Sequence, residues 1–169
     1  MRFPRPPLPP LVPLIDTREQ LPYSLPGALF VTLGEGDYSV LGADHVVRVE
    51  RKTLTDYLAC VGRERERFER ELHRLRSYPL AFLLLEFTLT ELAAGRYSAA
   101  VHPRAAVMSA IAWGVDFGVR VVWAGDRAHA QAWTLRTLER VHLREWRRRL
   151  AGEAQKEPAT PTGNATVTG

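Results

Sequence analysis

Cysteine is almost absent from this chain, because Cys60 is the single cysteine among 169 residues. An intramolecular disulfide and a cysteine-rich zinc site are therefore excluded, and Cys60 is expected to be a small buried residue on a helix. The sequence also has no apolar run long enough to cross a bilayer. Prolines interrupt the N-terminus where a signal peptide would need a continuous apolar region. We therefore expect a reducing, cytoplasmic setting and no membrane partner.

Acidic residues are outnumbered by basic ones, 19 to 23, so the formal net charge is +4 and the pI is near 9.6. Almost all of the basic residues are arginine, whose planar guanidinium matches a phosphate group, and this favours nucleic acid as a partner. The apolar fraction of 46% and the charged fraction of 25% are typical of a globular protein. A chain of this length suits one domain with a single core.

The two ends of the chain differ in composition from the middle. Residues 1–10 are too rich in proline for a helix and are expected to form an extended arm. Residues 151–169 are rich in alanine, proline, threonine and glycine, cannot support a core, and are expected to form a disordered tail. The folded domain is therefore predicted to span residues 11–150, and it contains no internal repeat.

The first part of this domain predicts strands at residues 11–15, 28–33 and 45–50, separated by glycine-containing turns. Because these strands are close along the chain, we expect them to pair as an antiparallel meander.

The second part alternates helices with apolar strands. A helix starts at Thr53, is interrupted by Gly62, and resumes over residues 63–75 with one apolar face. Residues 80–86 predict a central strand and residues 119–124 a second one, with helices at residues 90–94, from His102, and from Asp126 to about Leu150. This order predicts an α/β domain with a central mixed sheet flanked by helices.

The most informative polar residues are Asp37, in a predicted turn, and Glu50 and Lys52, at the end of a predicted strand. Residues two apart on a strand point to the same side of the sheet. Two carboxylates with a backbone carbonyl, such as that of Arg51, form a hard oxygen site suited to Mg²⁺ or Mn²⁺. An amine beside such an ion can orient or deprotonate a water molecule, or neutralise charge in a transition state. The bare spacing is equally consistent with a solvated strand end.

The motifs around these residues are more specific than the spacing. The chain contains, in this order, Ile15-Asp16-Thr17-Arg18-Glu19, Gly36-Asp37-Tyr38, Val49-Glu50-Arg51-Lys52-Thr53-x-x-Asp56, Arg67-Phe68-x-x-Glu71-Leu72 and Leu84-Leu85-Glu86. Together they resemble the nuclease domain of the XPF family of structure-specific endonucleases, including the archaeal Hef-type enzymes. The resemblance covers about residues 14–141 and implies a restriction-endonuclease-like fold.

This resemblance implies a metal-dependent endonuclease that cuts branched, flap or fork DNA in repair or recombination, with Mg²⁺ or Mn²⁺ as cofactor. It implies that Asp37 and Glu50 are metal ligands and that Lys52 is the catalytic amine. Arg51 would support the site or contact phosphate, and Asp16 would approach the metal or hold one of its ligands. A prokaryotic protein of this kind would be associated with the nucleoid.

Three further residues of the motifs have less certain roles, so two readings are kept for each. Arg18 and Glu19 belong to the same polar network by resemblance, and Arg18 would also contact DNA, but Glu19 could simply pair with Arg18 or cap a turn. Asp56 matches the last acid of the motif, although its place three residues after Thr53 equally predicts helix capping. Glu86, at the end of an apolar strand, either orients an active-site group or faces solvent.

Arginines cluster on two predicted helices. Arg63, Arg65 and Arg67 either contact a DNA backbone or pair with neighbouring glutamates on a solvated helix. The end of the last helix is basic as well, and either phosphate contacts or a favourable interaction with the helix dipole explain it. These last arginines are Arg140, Arg144, Arg147, Arg148 and Arg149.

Members of the XPF family usually carry a tandem helix-hairpin-helix module, and no segment after Leu150 has the length or apolar content of one. Three hypotheses follow. The protein is an active endonuclease, a non-catalytic DNA-binding or scaffolding subunit, or a resolvase or repair nuclease of the restriction-endonuclease-like fold that acts with a separate partner protein. Retention of the acids and of Lys52 favours the first. We expect a homodimer or a partner subunit that supplies DNA targeting, with Trp113 and Trp133 as either interface anchors or core residues.

Overall fold

The computed structural model describes residues 6–98 and 100–154, which form a six-stranded sheet with helices on both faces. This architecture confirms the predicted α/β class with a central mixed sheet. The elements are β1 (Pro13–Asp16), β2 (Leu29–Val31), β3 (Tyr38–Val40), β4 (Val47–Lys52), α1 (Leu54–Val61), α2 (Arg65–Leu75), β5 (Leu80–Leu85), α3 (Leu89–Ala94), α4 (Pro103–Phe117), β6 (Arg120–Trp123) and α5 (Arg127–Ala154).

The strand order in the sheet is β2-β1-β3-β4-β5-β6. The β1–β3 and β3–β4 pairs are antiparallel, whereas the β1–β2, β4–β5 and β5–β6 pairs are parallel. The predicted central strand, β5, lies between β4 and β6, and three of its residues are fully buried: Leu83, Leu84 and Leu85.

The predicted antiparallel meander is wrong in one respect. Strand β2 lies at the edge of the sheet, parallel to β1, and does not touch β4. The place between β1 and β4 belongs to β3, which the sequence interpretation treated as part of a turn. Glycines at both ends of this three-residue strand obscured it, yet Tyr38 and Val40 are completely buried and fix its position.

The helix boundaries follow the predicted capping signals. The Thr53 side chain accepts a hydrogen bond from the Asp56 amide, α1 ends at Gly62, and α2 resumes three residues later. Asp126 accepts a hydrogen bond of 2.8 Å from the His129 amide at the start of α5. Helix α5 continues to Ala154, four residues beyond the predicted end at Leu150.

The predicted terminal segments fall partly outside the described residues. Residues 6–10 of the proline-rich arm have no regular secondary structure, and the Pro9 carbonyl lies 2.8 Å from the His142 ring nitrogen Nε2. Residues 1–5 of the arm and residues 155–169 of the predicted tail are outside the described part of the chain. Across residues 6–98 and 100–154, no helix has the length and apolar content that a membrane crossing requires.

Side chains on the two faces of the sheet enter two separate apolar cores. One face packs against α1, α2 and α4, and this core includes Cys60, buried as expected, and Trp113, which is therefore a core residue. The other face packs against α5, whose Leu138 and Val141 belong to the same core as Val47 and Val49 of β4. Because side chains alternate along β4, Glu50 and Lys52 face the α1–α2 side, and Arg51 faces the α5 side.

Candidate active site

Three carboxylates occupy successive positions across one face of the sheet. Ile15 pairs with Tyr38, and Tyr38 pairs with Val49, so Asp16, Asp37 and Glu50, each one residue beyond these pairs, lie on three adjacent backbone segments. The fold therefore brings together acids that are separated by 34 positions along the chain.

Backbone hydrogen bonds hold Asp37 in this row. Its carbonyl accepts a bond of 2.8 Å from the Asp16 amide, and its own amide donates a bond of 2.8 Å to the Val49 carbonyl. The Asp37 carboxylate oxygen Oδ2 accepts a bond of 2.7 Å from the Arg51 amide. Gly36 precedes it with φ of 75°, and a Cβ there would lie 3.3 Å from both Arg48 and the Val49 carbonyl. Only glycine fits that turn without strain.

Glu50 and Lys52 form an ion pair at the carboxyl end of β4. Glu50 is 4% exposed, and the Lys52 ammonium lies 4.9 Å from the centre of the Phe68 ring of α2. The aromatic ring and the carboxylate together hold the amine in place. Phe68, predicted only as an apolar contact of α2, therefore also positions the candidate catalytic amine.

The nearby positive charge does not balance the negative charge of the carboxylates in this cluster. Burial raises the pKa of Asp37 well above its usual value, and the negative charge of Glu50 raises it further. Burial also raises the pKa of Glu50, although Lys52 opposes this change. Burial acts to lower the pKa of Lys52, but Glu50 and Asp37 hold it above its usual value. The amine is therefore fully protonated at neutral pH, and the site favours an additional cation.

A divalent cation fits the donor chemistry of Asp37 and Glu50. Both supply carboxylate oxygens, the ligands that Mg²⁺ and Mn²⁺ prefer, and both would be relieved of mutual repulsion by a bound ion. Within the described ranges, no three histidine, cysteine or acidic side chains converge in a geometry ready for a metal.

The third predicted ligand, Asp16, is committed to other partners. Its Oδ1 accepts bonds from the Arg18 amide (2.8 Å) and from Arg18 Nε (2.7 Å), and its Oδ2 accepts bonds from the Leu33 amide (2.7 Å) and from Arg18 Nη2 (3.1 Å). Burial acts to raise the pKa of Asp16, but these bonds from Arg18 and Leu33 hold it below its usual value. In this arrangement the Asp16 carboxylate holds Arg18 and Leu33 rather than facing a metal, and only its backbone amide bonds to a predicted ligand, at the Asp37 carbonyl.

Arg51 lies on the opposite face of β4 from the acidic row. Its guanidinium makes two bonds of 3.1 Å to Glu19 and one of 3.1 Å to Glu86, and all three side chains are at most 8% exposed. Tyr23 donates a bond of 2.6 Å to the other oxygen of Glu86. This placement supports the structural role predicted for Arg51, whereas a direct contact with phosphate would require the network to open.

The same network answers two questions that the sequence left open. Glu19 pairs with Arg51 rather than with Arg18, and it also accepts a bond of 2.8 Å from the Leu21 amide. Glu86 is 7% exposed and orients Arg51 instead of facing solvent. Thr53 caps α1 by accepting a bond of 3.2 Å from the Asp56 amide, and the exposed Asp56 carboxylate accepts a bond of 2.6 Å from the Thr53 hydroxyl.

The four arginines predicted to contact DNA are placed differently. Arg63 and Arg67 are mostly exposed, at 82% and 62%, and both pair with Glu64. Arg65 bonds to Glu69 (2.9 Å) and to the Ser109 hydroxyl (2.9 Å), so it joins α2 to α4. Arg18 holds Asp16 while remaining 66% exposed. Arg18, Arg63 and Arg67 are therefore accessible to a ligand, and Arg65 is largely occupied by the fold.

Two residues near the acidic row received no role from the sequence. Glu71 of α2 carries a charge that contributes to raising the pKa of both Glu50 and Lys52. Arg48, two residues before Glu50 on the same face of β4, is 5% exposed and stacks on the Tyr78 ring at 4.5 Å. The period-two spacing of Arg48, Glu50 and Lys52 was the available signal for Arg48.

Comparison with known proteins agrees with this arrangement. Residues 15–137 match the ERCC4 domain family. The chain belongs to the ERCC4 domain family. This membership confirms the predicted resemblance to XPF nuclease domains and places the chain in a family of DNA-processing nucleases.

Solved structures show the same fold. XPF from Aeropyrum pernix is 22% identical with a TM-score of 0.58, and the match covers 80% of this chain and 69% of that one. XPF from Aeropyrum pernix in complex with DNA is 21% identical with a TM-score of 0.59, over 80% of this chain and 66% of the other. This ERCC4 domain thus spans about two thirds of those chains. A search of curated proteins gave no match.

Proposed function

We propose that this ERCC4 domain is a metal-dependent endonuclease that hydrolyses phosphodiester bonds in branched, flap or fork DNA. The observation that supports it most is the cluster of half-buried Asp37, just before β3, and buried Glu50 of β4, with the Lys52 ammonium beside Glu50. Carboxylates crowded in this way weaken folding unless a ligand relieves them, which is typical of functional sites. Repair or recombination is the proposed setting, in the cytoplasm or at a nucleoid.

The proposed roles follow from the contacts of each residue. Asp37 and Glu50 would hold Mg²⁺ or Mn²⁺, and that ion, when bound, polarises the scissile phosphate and lowers the pKa of a water molecule. Lys52, held beside Glu50, would supply positive charge to the developing phosphorane. Arg51, through Glu19, Glu86 and its amide bond to Asp37, keeps the end of β4 rigid.

DNA is the proposed partner, because Arg18, which bonds to Asp16, is exposed and a solved XPF structure contains DNA. Arg18, Arg63 and Arg67 would contact phosphates, which contributes affinity that depends on salt but little on sequence. A homodimer is proposed as well, since α4 exposes an apolar stripe at helical spacing. The stripe is Met108, Ile111 and Val115, which are 52%, 52% and 75% exposed.

A panel of labelled single-stranded, duplex, flap and fork DNAs, incubated with Mg²⁺ or with Mn²⁺, tests the proposed activity. We expect cleavage of the flap or fork near its branch point and no cleavage in EDTA. Binding to forks without cleavage in either metal would instead favour the non-catalytic scaffolding role. Cleavage only after addition of a second protein would favour a nuclease that depends on a partner subunit.

A further inference from the structure

A groove lies on the face of the sheet opposite the acidic row. Helix α5 crosses this face over β3 and β4 and leaves the β5–β6 half less covered. Leu80 and Phe82 of β5 form its floor, and the Trp133 ring of α5 meets the Phe82 ring edge-on at 5.0 Å. The groove encloses about 390 Å³. It therefore presents aromatic surface beside the outermost strand of the sheet.

The rim of this groove is basic. Arg136, Arg140 and Arg144 line it from one face of α5, since they are spaced four residues apart, and no acidic residue lines it. The Arg120 guanidinium of β6 lies 5.6 Å from the centre of the Phe82 ring. Arg136 pairs with Glu139 and Arg144 pairs with Glu145, whereas Arg140 forms no ion pair within the described part of the chain. Positive charge and aromatic rings thus occur together along one open channel.

The helix dipole does not account for these arginines. The dipole acts within the last turn of a helix, and α5 has no basic residue in its last turn, because it continues to Ala154. Arg140 and Arg144 lie more than two turns before that end. The sequence allowed two explanations, phosphate contacts or interaction with the helix dipole. Because the helix extends beyond these arginines, the structure favours contact with a polyanion.

We infer that this groove, lined by Phe82, Trp133, Arg136, Arg140 and Arg144, binds single-stranded DNA. Unpaired bases stack on aromatic rings while basic side chains follow the phosphates, and this combination is typical of single-strand binding surfaces. A duplex offers phosphates but keeps its bases inside. The choice of DNA over RNA rests on the proposed function, and the surface would hold an unpaired arm of a branched substrate.

Because the groove and the acidic row lie on opposite faces of the sheet, binding can be tested separately from cleavage. The experiment measures fluorescence anisotropy of a labelled oligo(dT) with the full chain in EDTA. The variant Arg140→Ala/Arg144→Ala is expected to bind about tenfold more weakly than wild type and to show a salt dependence reduced by about two phosphate contacts. The matched control Arg96→Ala/Arg104→Ala removes two exposed arginines elsewhere and is expected to bind as wild type does.

Equal losses in the two double variants would overturn the inference, because they would reflect net charge alone. Tryptophan fluorescence gives a second readout: oligo(dT) should quench the wild-type signal, and Trp133→Phe should remove most of that quenching while retaining the fold. Quenching that is unchanged in Trp133→Phe would also overturn the inference. Quenching that increases with protein concentration in the absence of DNA would overturn it too, because it would indicate that a second copy of the chain occupies the groove. Loss of cleavage with groove binding intact would reject only the proposed nuclease.

Discussion

The backbone amide of Arg51 donates a hydrogen bond of 2.7 Å to the Asp37 carboxylate. The side chain of the same residue lies on the other face of β4, where Glu19 and Glu86 hold it. Arg51 therefore connects the candidate metal site to a buried ion-pair network through the strand itself. An arginine at this position can therefore affect the site even though its guanidinium does not approach the substrate.

Arg51→Lys tests this connection. Lysine keeps the charge but cannot make the paired contacts with Glu19 and the third contact with Glu86, so two buried carboxylates lose hydrogen-bond donors. We expect the free energy of unfolding in urea to fall by about 2 kcal/mol. Arg63→Lys, which alters an exposed pair with Glu64, serves as the control and should change it by less than about 0.5 kcal/mol. Equal small effects would show that the network does not stabilise the fold.

Asp37→Asn should stabilise the metal-free protein. Burial and Glu50 raise the pKa of Asp37 in the folded state, so its ionised form opposes folding, and stability rises as the pH falls through that raised pKa. Removing the charge at pH 7.5 should therefore raise Tm by about 3 °C in EDTA. The exposed control Asp116→Asn should leave Tm unchanged.

The same variant should lose the response to metal. Mn²⁺ is expected to raise the Tm of the wild-type protein but not that of Asp37→Asn, and the wild-type response should shrink as the pH falls, because protons compete for both carboxylates. A Tm for Asp37→Asn below that of the wild type in EDTA, together with an unchanged response to Mn²⁺, would contradict the assignment of Asp37.

Substitutions of Thr53 and Asp56 distinguish a role in helix capping from a role in catalysis. Thr53→Ala should cost about 1 kcal/mol of stability, because the Asp56 amide loses its acceptor at the start of α1. Asp56→Asn keeps an oxygen that can accept from the Thr53 hydroxyl, so cleavage of a flap DNA should stay within about twofold of the wild type if capping is its whole role. A loss of cleavage without a loss of stability would instead place Asp56 in the chemistry.

Local signals in the sequence predicted much of this fold. The Thr53 cap, the break at Gly62 and the Pro103 start each depend on neighbouring residues, and the structure has all three. Strand β3 was missed because three residues among glycines carry no periodic pattern, and its burial depends on Tyr23, far along the chain, stacking on Tyr38 at 4.7 Å. Tertiary packing decided that element.

The sequence predicted which residues form the candidate site, but not which residues they hydrogen-bond with. Family motifs identified Asp37, Glu50 and Lys52, and alternation along β4 placed Glu50 beside Lys52. The capture of Asp16 by Arg18 depends on the Leu33 carbonyl, which also accepts a bond of 2.7 Å from Arg18. That contact spans fifteen positions, and no local pattern in the sequence encodes it.

The central claim, that Glu50 belongs to the catalytic centre of a nuclease, is tested most directly by cleavage of a flap DNA in Mn²⁺. Glu50→Gln keeps the shape of the side chain, and Glu66→Gln on the exposed face of α2 is the matched control. We predict at least about a hundredfold loss of cleavage for Glu50→Gln with DNA binding retained, and wild-type cleavage for Glu66→Gln. Cleavage by Glu50→Gln at the wild-type rate would contradict the assignment of this site.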